Sequence, residues 1–89
     1  MNAPPWRVEL TRTAQRDLRR LDPPVRERVS GALVALAQDP HGSTGLRRLS
    51  GRPETRLRVG GWRVLLTLDP EARTIIVLRA LPRGRAYRD

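Results

Sequence analysis

The sequence contains no cysteine, no lysine and no phenylalanine, a single histidine, and only 3% aromatic residues. Each absence removes a class of function. Without cysteine there is no disulfide scaffold, no thiolate nucleophile and no cysteine-based zinc site. His41 alone cannot furnish a His-rich metal site or the histidine pair of a double-histidine nuclease. No apolar run approaches the ~18 residues of a spanning helix, and no N-terminal apolar stretch reads as a signal peptide. The expectation is a soluble, cytoplasmic protein with no membrane partner. At 89 residues the chain suffices for one domain, 1–89. A hydrophobic content of 38% is too high for a disordered tail, and the length is too short for two cores.

What the chain has in excess is positive charge. Eighteen basic residues, all arginine, face nine acidic ones, a formal charge of +9. Arginine stays protonated and cannot accept a proton, but its planar fork of donors suits phosphate. So much charge on so small a body implies a polyanion or an acidic protein as partner.

The hydropathy pattern divides the chain into strand, helix, helix and meander. From Trp6 to Thr11 apolar and polar residues alternate, as in a half-buried strand. Ala14, Leu18 and Leu21 then follow at helical spacing, predicting a short amphipathic helix over 13–21. Asp22-Pro23 restarts a helix as N-cap and first residue, and Asp39-Pro40 stops it. Between them Val25, Val29, Ala32, Leu33 and Leu36 form an apolar stripe. Residues 40–53 read as a loop with at most a brief strand, and strands are predicted near 54–59, 62–68 and 74–81. The resulting fold class is α+β: an N-terminal strand, an antiparallel helical hairpin over one sheet face, and a mostly antiparallel meander of three to four strands.

Gly60-Gly61 predicts a two-residue hairpin loop and with it a register. Val59 then faces Trp62, Arg58 faces Arg63, Leu57 faces Val64 and Arg56 faces Leu65. Leu57, Val59, Trp62, Val64, Leu66 and Leu68 share the helix-covered face, which makes Trp62 a packing residue. Arg56, Arg58 and Arg63 share the other. Arg58 opposed to Arg63 at ~6 Å is unfavourable by roughly 0.7 kcal/mol in water and about 2.8 kcal/mol at an effective dielectric of 20. Two readings of this face stand side by side: a solvated arginine surface, or a phosphate-backbone site in which the ligand relieves the repulsion. The tail adds Arg83, Arg85 and Arg88 around Tyr87, the only tyrosine. A phenol among guanidiniums can stack on a base or lose its proton more readily. His41 reads as a solvated loop residue.

The segments VELTRTAQRDLRRLDPPVRERV, ALVALAQDP, LRRLSGRPETRLRVGGWRVLLTLD and IIVLRALPRGRAYRD together resemble the RelE/ParE superfamily of bacterial type II toxin–antitoxin toxins, in particular its RelE branch. RLRVGGWRVLL followed by RGRAYR is the most specific part. The resemblance implies a RelE-like fold and a metal-independent, cofactor-free endoribonuclease (mRNA interferase) that cuts mRNA on the ribosome. It also implies an antitoxin partner, RelB-like, with an acidic or amphipathic neutralising segment. It assigns Arg63, Arg83 and Tyr87 to catalysis and Arg56, Arg58 and Arg85 to RNA binding. Two departures qualify it. Pro82 stands where many relatives have histidine before the first tail arginine, and Arg56 and Arg58 stand where some have lysine. Tyr87 is then the candidate general base. A ParE-like toxin that inhibits DNA gyrase by contact, and a catalytically silent RNA-binding member, are the alternatives.

Overall fold

The first strand, β1 (Arg7–Leu10), ends where Thr11 turns the chain into a helix. In the computed structural model, which describes residues 4–42, 45–48, 51 and 54–82, the Thr11 hydroxyl accepts the Ala14 N–H at 3.1 Å. That contact satisfies one of the donors every helix leaves open at its start. It sets α1 at Arg12–Arg19, one residue earlier than its apolar spacing predicts. Leu21 falls in the turn that follows, yet is buried with the core. Arg26 closes this turn by donating from Nε to the Leu18 carbonyl and from Nη2 to the Leu21 carbonyl. Helix α2 (Pro23–Gln38) begins and ends at the two Asp-Pro signals, with Asp22 and Asp39 as its caps.

Four strands follow: β2 (Leu46–Arg48), β3 (Thr55–Val59), β4 (Trp62–Asp69) and β5 (Thr74–Pro82). Residues 40–53, read mainly as loop, thus contribute a strand, and the sheet has five strands in the order β1-β5-β4-β3-β2. The pairings are antiparallel except β1 with β5, which is parallel and joins Arg7–Leu10 to Thr74–Val77. The hairpin register is the one that the glycine pair requires, with Val59 opposite Trp62 and Arg58 opposite Arg63. Gly60 takes φ +59°, a region that L side chains avoid.

Both helices contribute to a core on one face of the sheet. Ala14, Leu21, Val29, Leu33, Leu36 and Ala37 meet Leu57, Val59, Val64, Leu66, Ile75 and Val77, with Trp62 packed at the margin. Each large apolar side chain taken out of water here contributes roughly 1.5–3 kcal/mol. His41 is an exposed turn residue, as its loop setting suggested, and its ring stands edge-on to Trp6, 5.9 Å between centroids. Among the described residues no helix is long and apolar enough to cross a membrane.

Strand β5 is irregular near its middle. Leu65 pairs with Arg79 and Leu66 with Val77, so Leu78 is an extra residue, a β-bulge.

Candidate nucleic-acid interface

The side chains of a strand alternate between faces, so the register that buries Leu57 and Val59 against the helices turns Arg56 and Arg58 to the other side. Arg63 joins them from β4, opposite Arg58. A further member was not apparent from the sequence. Arg47 of β2 pairs with Arg56, which places it on the same face. Leu46-Arg47-Arg48 does not alternate, so the face of Arg47 is legible only once that stretch is paired antiparallel to β3.

Three of these arginines share a cavity of about 210 Å³, lined by Gly45, Leu46, Arg47, Arg56 and Arg58. Gly45 ties this wall to β3. The Gly45 carbonyl accepts the Arg58 N–H at 2.9 Å. With φ +81°, Gly45 takes a backbone conformation that L side chains rarely adopt, so a substitution there would be strained.

The guanidiniums are not equivalent. Arg58 and Arg47 are exposed, Arg56 is 7% exposed and Arg63 only 2%. Arg63 therefore departs from the picture of a uniformly solvated arginine face. It is held inside, donating from Nη1 to the Trp62 carbonyl at 3.3 Å, and it does not line the cavity. Burial, then the charges of Arg47 and Arg58, lower the pKa of Arg56. Arginine starts so high that the group remains a cation at neutral pH. The same burial and like charges make that positive charge less favourable, and an anion that settles beside it would ease this. Inorganic phosphate should accordingly raise the thermal midpoint above its value in chloride at equal ionic strength. Each 1 kcal/mol of binding is worth about 4–8 °C in a domain of this size. Equal midpoints in the two salts would mean that the cavity holds no phosphate.

Of the residues singled out from the sequence, Arg56, Arg58 and Arg63 are brought onto one face. Arg83, Arg85 and Tyr87 lie outside the described residues. A second charged arrangement that the sequence did not reveal is Asp17 on α1. It is buried, and ion-paired with Arg79 of β5 at 2.8 Å.

The chain is similar to known proteins over almost its whole length. The family described as "ParE toxin of type II toxin-antitoxin system, parDE" matches residues 8–87. The toxin–antitoxin complex RelBE2 from Mycobacterium tuberculosis shares 29% identity with a TM-score of 0.77, over 90% of this chain and 93% of that one. The archaeal RelE–RelB complex from Pyrococcus horikoshii shares the fold at 23% identity and a TM-score of 0.79, over 92% and 99% of the two chains. The intact E. coli RelBE complex does so at 23% and 0.72, over 90% and 99%. No curated protein matches the chain in sequence. Fold, five-strand sheet and the match to residues 8–87 agree: the chain belongs to the ParE toxin family, within the RelE/ParE superfamily of type II toxin–antitoxin toxins.

Proposed function

We propose that this toxin is a ribosome-dependent endoribonuclease that cuts mRNA during translation in the cytoplasm, held in check by a RelB-like antitoxin with an acidic or amphipathic neutralising segment. The observation that carries the reading is the cavity shared by Arg47, Arg56 and Arg58, three like charges gathered in one concave place, a setting that favours the phosphates of a nucleic-acid backbone.

The chemistry consistent with such a site is transesterification. The 2′-oxygen of the RNA attacks the adjacent phosphorus, and the bond from phosphorus to the 5′-oxygen of the next nucleotide breaks. The products are a 2′,3′-cyclic phosphate and a free 5′-hydroxyl. Arg56 and Arg58 hold the backbone in line, with Arg85 as an added phosphate contact. Arg83 stabilises the charge that builds on the phosphate oxygens, and the buried Arg63 adds its positive field from beneath the same face. Tyr87 takes the 2′ proton, its phenolate favoured by the guanidiniums around it, and the departing 5′-oxygen takes a proton from water.

A second reading has its own support. The family description names ParE and parDE, Arg56 and Arg58 cannot accept a proton, and β5 carries Pro82 where many relatives have histidine. On that reading the protein inhibits DNA gyrase by contact. Primer extension on mRNA in an in vitro translation reaction, run beside a gyrase supercoiling assay, separates the two. Cut ends within translated codons are expected, with supercoiling unaffected. Lost supercoiling without cut ends would replace the nuclease by the gyrase reading. Bound RNA with neither effect would leave a silent binder.

A further inference from the structure

Strand β5 changes partners midway. Up to Val77 it is hydrogen-bonded on one side to β4 and on the other to β1, but β1 ends at Leu10. Beyond that point a strand's outward N–H and C=O groups need substitutes, since buried backbone polar groups are almost always paired. Helix α1 and its cap supply them. The Thr11 N–H donates to the Val77 carbonyl at 3.0 Å, and the Thr11 hydroxyl donates to the Leu78 carbonyl at 3.1 Å. Asp17 Oδ2 accepts the Ala80 N–H at 2.9 Å and Arg79 Nε at 2.8 Å, while Oδ1 accepts Arg79 Nη2 at 3.4 Å. One buried carboxylate thus grips two consecutive residues, directly after the bulge at Leu78.

The bulge determines everything beyond it. With Leu78 inserted, Leu81 runs opposite Arg63 and Pro82 opposite Trp62. A strand that lost the bulge would slip by one residue and exchange the faces of residues 79–82. From this arrangement we infer that Asp17 is a positioning residue. Its grip on Ala80 and Arg79 fixes the register in which the end of β5 lies beside Arg63, and so sets the edge of the arginine face that β5 forms. Its effect on RNA cleavage rests on the nuclease reading; its effect on register does not.

Two measurements on the full chain test this. Hydrogen exchange of the Arg79 and Leu81 amides reads the register directly. Asp17→Ala should lose at least tenfold in protection there, with the amides of Ile75 and Val77, which β1 also flanks, retained. Unchanged protection at Leu81 overturns the proposal, whether or not the protein cleaves RNA. Cleavage kinetics read the consequence. Asp17→Ala should lower kcat by ~10²-fold at a temperature where it is folded, with KM moved much less, as for a displaced catalytic group. Asp17→Asn retains an oxygen for the Ala80 N–H and should recover most of that loss, and it also serves if the alanine variant fails to fold. Arg79→Ala removes the ion pair but leaves Asp17 on Ala80, so its kcat should stay within about threefold of the parent. Equal kcat losses in Arg79→Ala and Asp17→Ala would reduce Asp17 to a contributor to stability and overturn its positioning role.

Discussion

Replacing Arg63 with alanine is expected to lower ribosome-dependent cleavage by ~10²-fold or more, and replacing Arg83 to do the same. Removing one preorganised donor from an oxyanion-type site has effects of that size. Arg63 needs a second variant, because it is also among the largest fully buried side chains. Truncation to alanine opens a cavity and lowers stability by itself. Arg63→Met keeps most of the volume and removes the charge, so it avoids most of the cavity, and losing the hydrogen bond to the Trp62 carbonyl should cost about 1–3 kcal/mol. The charge it removes stands opposite Arg58, which moderates the loss further. Cleavage by the methionine variant should nevertheless stay down by a comparable factor, read as primer-extension ends per unit time with the melting temperature measured in parallel. If Arg63→Met and Arg83→Ala both cleave at the parental rate, these cations do not act on the phosphate.

The second large effect is on stability. Leu66 is fully buried on β4, between Thr55 of β3 and Val77 of β5, and faces the helices. Leu66→Ala should cost about 2–5 kcal/mol, from lost burial and the cavity left behind. A domain of this size has only about 5–15 kcal/mol in total. At about 4–8 °C for each 1 kcal/mol, the midpoint should fall by roughly 8–40 °C in a circular dichroism melt. A fall of less than about 4 °C would mean that the core repacks around this position and does not depend on β4.

How much of this the sequence disclosed follows from the range of each interaction. The β3–β4 hairpin was legible residue by residue, because a glycine pair and period-2 alternation are local and leave one register for Val59, Arg58 and Leu57. The ends of α2 were legible for the same reason, from Asp22-Pro23 and Asp39-Pro40. The parallel pairing of β1 with β5 was not, since Val8 and Ile75 meet across most of the chain and nothing in either segment names the other. Nor was the bulge at Leu78, which depends on the Thr11 and Asp17 contacts of a distant helix. At the site, alternation gave the shared face of Arg56, Arg58 and Arg63 but not their depth. Periodicity tells which way a side chain points. How deeply Arg63 sinks, and that Arg47 completes the cavity, depend on tertiary packing across β2, β3 and β4.

The strand order also governs when the fold can exist. β5 leaves the ribosome after every other described strand, yet it belongs between β1 and β4. Until it emerges, those two strands have no neighbour in common, and α1 has nothing on which to place Asp17. Native structure in this toxin therefore waits for β5, because closing so distant a pair is entropically slow and needs the missing strand. A growing chain that ends before Thr74 lacks the middle of its sheet, so β1 and β4 stay apart until β5 has been made.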